Sequence, residues 1–250
     1  MTISDYINTG NYKKALTLIE DSIAKNPTNE KKLFEKATIL YHLNRLDEAE
    51  EIFLNLYKTN SKSGYLLFSL ALISFALNKK EKAFRLFELA YENGNNESIY
   101  SILKMLFERK GICDYANCSD SCCKNTLLKG IDGQRIKTQE AFDRLMANPN
   151  TNSGWQKKSE NKKGEWIFEC KHVDENNFCS KYSNRPQICK DFPSGILSLK
   201  KACSYYFVLK ENTPKFTSAK TYAVIIDILK AYKYQKEIKI IEKRQFNTNN

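Results

Sequence analysis

The sequence predicts a mainly α protein: a solenoid of helix hairpins, then a small irregular α+β cysteine-rich domain, then a C-terminal helix. Three observations carry that prediction. A 34-residue period runs through roughly the first 110 residues, all eight cysteines fall between Cys113 and Cys203, and apolar residues recur at helical spacing in "TYAVIIDILKAY", Thr221 to Tyr232. The expected segments are residues 1–110, 111–212 and 213–250, the last a C-terminal helix and a basic tail, in which "EIKIIEKRQFNTNN" ends in a polar stretch expected to fray. At 250 residues and 42% apolar content the chain can bury a substantial core, so it is not a disordered tail.

The repeats come first. Aligning "NYKKALTLIEDSIAKNP", "NRLDEAEEIFLNLYKTN" and "NKKEKAFRLFELAYENG" sets Ala15, Ala49 and Ala83 34 residues apart, with Ile19, Phe53 and Phe87 in the same register. Each unit reads as an apolar helix such as "KLFEKATILYHL", a tight turn at Gly10, Asn44 or Asn78, and an amphipathic helix. The alanine lets paired helices approach, and the larger residue four positions on fills the seam between units. Ala37 and Ala71 hold a small-residue position in the first helix, and Pro27 closes unit one. This pattern resembles the tetratricopeptide repeat (TPR). Ser61 and Asn95 replace the closing proline in units two and three, and the first helix of unit one is cut short, as the end of a solenoid requires. "ESIYSILKMLFERKG" reads as a last, unpaired capping helix.

The TPR resemblance implies a protein or peptide partner in a concave groove lined by Phe34, Tyr41, Tyr65, Phe68 and Phe75. Aromatic walls suit an apolar or amphipathic helix better than an acidic tail. The same side chains could instead be plain core, and the C-terminal helix could itself occupy the groove.

Beyond Gly111 the composition changes. "CDYANCSDSCC" supplies Cys113, Cys118, Cys122 and Cys123, and the later segment supplies Cys170, Cys179, Cys189 and Cys203. Adjacent Cys122 and Cys123 cannot pair with each other without backbone strain, so a disulfide framework fits poorly. Thiolates spaced a few residues apart on turns can converge on one soft cation, which points to zinc or an iron–sulfur cluster. His172, two residues after Cys170, could replace one sulfur, although a solvated or core histidine is the simpler reading. "TQEAFDRLMA" opens as a helix, and "GEWIFECKHV" alternates as a short strand that delivers Cys170.

A leading cysteine cluster, a helical insert and the stretch "CSKYSNRPQICKDFP" together resemble the YkgJ-type cysteine-cluster family of zinc- or iron-chelating domains. Cys179, Tyr182, Arg185, Pro186, Cys189, Phe192 and Pro193 match its second half, and Cys203 in "KKACSYYF" matches its trailing cysteine. The first half reads C-x4-C-x3-C-C where the family spaces C-x2-C-x2-C-C. The resemblance spans about residues 111–210 and implies metal ligation by the eight cysteines. Lys124, Lys171, Arg185, Lys190, Lys200 and Lys201 lie near cysteines in sequence and would offset thiolate charge. Pro186 fixes the connecting loop, and the planar fork of Arg185, near Tyr182, would brace it; binding an anionic substrate is a second use for that guanidinium.

Other classes are excluded or disfavoured. The opening "MTISDYINTG" lacks a basic-then-apolar pattern, and the apolar runs are too short and interrupted to span a bilayer, so a cytoplasmic location with reduced thiols is expected. Residues 1–110 carry 16 Lys and Arg against 14 Asp and Glu, so most of the net charge of +11 lies beyond them. Lysine richness runs through the whole chain, which reads as a solvated surface rather than a nucleic-acid footprint. There is no Gly-rich nucleotide loop, no C-x3-C-x2-C set, and with two histidines no readable Ser-His-Asp set. The expected function is a metal-binding adaptor. The alternatives are an iron–sulfur redox or protein-modifying enzyme whose substrate the repeats recruit, and a protein that takes up metal reversibly.

Overall fold

A computed structural model describes residues 2–59, 62–111, 123–130, 135–147, 154–176, 178–190, 195–198 and 205–246. In chain order the elements are α1 (Ile3–Asn8), α2 (Tyr12–Lys25), α3 (Glu30–His42), α4 (Leu46–Thr59), α5 (Gly64–Ala76), α6 (Lys80–Glu92), α7 (Glu97–Leu106) and β1 (Phe107–Lys110). There follow α8 (Gln139–Met146), β2 (Trp155–Glu160), β3 (Trp166–Cys170), α9 (Gln187–Lys190), β4 (Tyr206–Leu209), α10 (Ala219–Ala231) and α11 (Gln235–Phe246). The chain is mainly α and divides into two compact units. One comprises Tyr12–Arg109 and Phe207–Asn250, the other Met1–Asn11 and Lys110–Tyr206.

In the first unit the 34-residue period becomes packing. Ala49 and Ala83, with Ala15, Ala37 and Ala71, are fully buried, and Ile19, Phe53 and Phe87 are buried beside them. Helix α3 packs on α4 and α5 on α6, while α2 meets α3 and α4 meets α5 between hairpins. Phe34 stands edge-on to Phe53 at 5.1 Å, and one period later Phe68 meets Phe87 at 5.5 Å.

Each turn is made the same way. Asn44 and Asn78 take left-handed conformations, φ 60° and 59°, as Gly10 does at 73°. Glycine and asparagine adopt that region at low cost. The following N–H then reaches back to cap the helix, Arg45 to the Leu40 carbonyl at 2.9 Å and Lys79 to that of Ser74 at 2.8 Å. Asn29 and Ser63 cap α3 and α5 through their side chains. A Cβ at Gly64 would lie 2.5 Å from the Asn93 carbonyl oxygen, so only glycine lets the first turn of α5 meet the end of α6.

The expected unpaired capping helix is corrected in two respects. Helix α7 stops at Leu106, and the next four residues form β1, which pairs with β4 in a two-stranded sheet. Its partner strand lies about a hundred residues on, which no local pattern announces. Helix α7 is also covered, because α10 packs on both α6 and α7. Ahead of the polar end that the sequence expects to fray, which lies beyond the described residues, Gln235–Phe246 form α11, with Ile238 and Ile241 buried. Lys233, φ 63°, makes the turn between α10 and α11, and the Tyr234 N–H reaches the Leu229 carbonyl at 2.9 Å, as in the repeats.

Glu88 of α6 holds this hairpin in place. Its carboxylate is 1% exposed and accepts the backbone N–H groups of Thr217 and Ser218, each at 3.1 Å, and the Thr217 hydroxyl. Ser218 in turn caps α10 by accepting the Thr221 N–H at 3.1 Å, and donates its hydroxyl to Glu92. Phe216 packs edge-on between Phe84 and Tyr222. Helix α10 packs on α6 and α7, and Tyr65 and Phe75 of α5 are 74% and 47% exposed. No helix among the described residues is long and apolar enough to cross a membrane.

Replacing Glu88 with alanine takes the acceptor from the Thr217 N–H and from the buried Ser218 N–H, the latter at about 1–3 kcal/mol. The expected outcome is that limited proteolysis cuts between α7 and α11 under conditions where α2–α6 stay protected; an unchanged digestion pattern contradicts it. Glu50 of α4 offers a pH test. The Lys82 ammonium holds its carboxyl below the ordinary 4.5 against the opposing effect of burial, and Lys79 adds to the pull. A depressed carboxyl stabilises above its ordinary value, and the gain disappears as pH falls through the folded value. Glu50→Gln is therefore expected to cost about 1 kcal/mol at neutral pH. Thermal melts near pH 3 should show that deficit reduced.

Candidate metal centre

Strand β3 is the spine of the cysteine-bearing unit. Trp166, Phe168 and Cys170 are buried while Ile167 and Glu169 between them are less so, the alternation of a strand with one face in a core. On one edge β2 pairs antiparallel, with Trp155 opposite Cys170 and Lys157 opposite Phe168. On the other edge Thr126 and Phe168 exchange both backbone bonds, and the Cys170 N–H donates to the Cys123 carbonyl at 2.7 Å. Leu128, Ile136, Leu145, Trp166 and Phe168 form the core, with Phe142 of α8 stacked on Phe168 at 5.2 Å. Thr138 caps α8, as its sequence suggests. Between β2 and β3, Asn161 accepts the N–H groups of Lys163 and Glu165, and Gly164 supplies a left-handed residue, φ 70°.

This framework gathers three cysteine-bearing segments. Beyond Cys170 the chain folds into a second hairpin, in which Val173 bridges Cys179 and the Ser180 N–H donates to the His172 carbonyl at 2.9 Å. Lys124, next to Cys123, donates to the Glu175 carbonyl of that hairpin at 3.0 Å. Cys123, Cys170, Cys179 and Cys189 all carry thiols rather than disulfides. Burial pushes the Cys170 thiol above its ordinary value; the His172 N–H donating to its sulfur and the nearby Lys171 oppose this, while Cys179 adds to the rise.

Cys189 sits on the short α9, where the Cys189 and Lys190 N–H groups donate to the Pro186 carbonyl at 3.0 and 3.1 Å. The Arg185 guanidinium lies over the Tyr182 ring at 4.3 Å. Cys113, Cys118, Cys122 and Cys203 lie outside the described residues, as do Phe192, Pro193, Lys200 and Lys201. Among the described residues no three His, Cys, Asp or Glu side chains gather into a group that would hold a metal by itself. The donor set nevertheless fits a soft cation: unoxidised sulfurs, half-buried to buried, one of them already receiving a backbone N–H.

Two residues that sequence reasoning passed over shape this neighbourhood. Gly154, φ 76°, lies so close to His172 that a Cβ there would be 2.8 Å from its Nε2, so the imidazole packs against bare backbone. Trp155 follows, directly across from Cys170, and its indole N–H is buried with no hydrogen-bond partner among the described residues. The stretch "WQKKSE" has a single apolar residue, so no alternation marks it as a strand. The Asn161–Gly164 turn was the readable signal.

Residues 112–218 match the family model described as "Putative zinc- or iron-chelating domain", of the CxxCxxCC type. Residues 1–116 match the model described as Psidin, N-terminal TPR repeats region. No curated protein matches the chain. In sequence order, then, a region that matches TPR repeats is followed by one that matches a zinc- or iron-chelating domain of the CxxCxxCC type.

Proposed function

We propose that this chain is a cytoplasmic adaptor, in which the cysteine domain holds zinc or an iron–sulfur cluster and the repeats engage a protein partner. The observation that carries the reading is the meeting of the Cys123, Cys170 and Cys179 segments around β3, all as thiols. The proposed ligands are Cys113, Cys118, Cys122, Cys123, Cys170, Cys179, Cys189 and Cys203, enough for two four-sulfur sites or for one cluster with sulfurs to spare. A bound cation would neutralise the thiolates and tie together loop segments that have little apolar core of their own. The His172 N–H at the Cys170 sulfur lowers the cost of negative charge there. Arg185 over Tyr182, with Pro186 opening α9, braces the loop between Cys179 and Cys189.

The partner surface is the exposed edge of α5. That helix carries no charged residue, and Tyr65, Phe68, Leu72 and Phe75 recur along one side of it. Phe68 is half-buried against Phe87, as Phe34 is against Phe53 and Tyr41 against His42, so these three serve the scaffold as well. Exposed Tyr65 and Phe75 support an apolar or amphipathic helix as the ligand.

Anaerobic purification with elemental and acid-labile sulfide analysis tests the metal. Stoichiometric zinc without sulfide is expected for the adaptor, and a brown, sulfide-containing protein would move the reading to a redox or protein-modifying enzyme. Cys170→Ser and Cys179→Ser are each expected to lose metal and unfold the cysteine unit while far-ultraviolet circular dichroism keeps the helical signal of the repeats. Full metal content in both variants removes these residues from the ligand set. Paired Tyr65→Ala and Phe75→Ala changes should leave the melting temperature within a few degrees. They should weaken binding of an amphipathic helical peptide at least tenfold.

A further inference from the structure

A buried polar hydrogen without an acceptor costs about 1–3 kcal/mol, so each one asks for a physical explanation. Trp155 carries such a hydrogen. Its Nε1 is sealed from solvent and has no partner among the described residues, while the rest of the side chain packs against the Leu128, Ile136, Leu145, Trp166 and Phe168 core.

The register shows what stands beside it. Trp155 and Cys170 are directly opposite on β2 and β3, so their side chains share a face. The backbone bond of this region runs from the Lys171 N–H to the Gly154 carbonyl, one residue over, and the Cys170 N–H turns away to Cys123. Trp155 and Cys170 are thus a non-hydrogen-bonded pair, the kind in which the Cα atoms approach to about 4.5 Å and side chains lie closest. An indole offers one donor and no acceptor, and a thiolate offers only acceptors.

We infer that Trp155 is a positioning residue of the metal centre, its indole N–H donating to the Cys170 sulfur when that sulfur is bound to metal as a thiolate. The inference rests on the proposed metal site. Together with the His172 N–H it gives Cys170 two donors, one from the backbone and one from the opposite strand. The aromatic ring meanwhile keeps water from that side of the sulfur. The Gly154–His172 contact fixes the backbone just before Trp155, so the indole enters from a held position.

The test uses the full chain, made metal-free and titrated anaerobically with cobalt(II), then with zinc(II) in competition with cobalt. Trp155→Phe keeps an aromatic ring and removes the donor; Trp166→Phe, in the same core, controls for packing. The expected result is an affinity about tenfold lower in Trp155→Phe alone, with its sulfur-to-cobalt charge-transfer band moved to lower energy. Equal affinity and an unmoved band in Trp155→Phe overturn the inference and leave the metal site standing. A wild-type chain that takes up neither ion overturns both.

Should Trp155→Phe fail to fold, the wild-type chain answers directly. With only two tryptophans, [¹⁵N]indole labelling gives two side-chain signals, assigned by Trp166→Phe. The Trp155 signal is expected to shift downfield and exchange slowly when zinc is added. A signal indifferent to zinc, in a chain that demonstrably binds it, overturns the inference.

Discussion

The helical unit depends on one buried carboxylate. Glu88 sits on the last repeat helix with its oxygens turned to backbone N–H groups 129 and 130 residues further along the chain. A carboxylate hidden from water is tolerable only when its lone pairs are filled, and here Thr217 and Ser218 fill them while opening α10. The interaction does two things at once. It satisfies the charge on α6, and it sets where the chain must return after the long excursion through the cysteine segment.

A second constraint acts on the cysteine unit. Its core is small, a handful of aromatic and aliphatic residues around β3. Hydrogen bonds on both edges of β3 and the hairpin beyond it bring the thiol-bearing segments side by side, yet no described group of side chains is complete enough to bind an ion unaided. Backbone hydrogen bonds thus do what the small core cannot, holding the thiol-bearing segments side by side.

Much of this was legible from residue spacing. Ala15, Ala49 and Ala83 mark helix seams because only a small side chain fits there, and the left-handed turns fall on Gly10, Asn44 and Asn78 because those residue types reach that conformation at least cost. The strand bearing Cys170 was readable from its alternation. What escaped was non-local. Strand β1 depends on β4, and β2 carries one apolar residue and exists because β3 needs an edge partner. Lys233 in a left-handed turn, where asparagine or glycine would be expected, hid the hairpin of α10 and α11. Of the candidate site, the sequence shows a composition of cysteines; the neighbours of Cys170, Gly154 and Trp155 among them, it does not show, because strand register decides which residue faces a sulfur.

Strands β1 and β4 pair where the chain leaves the helical unit and where it comes back. An excursion that begins and ends at one place behaves as a cassette. Its contents can lengthen, shorten or be exchanged during evolution without changing the phase of the helices on either side, and the same geometry makes it the natural point at which to graft a foreign domain into this scaffold.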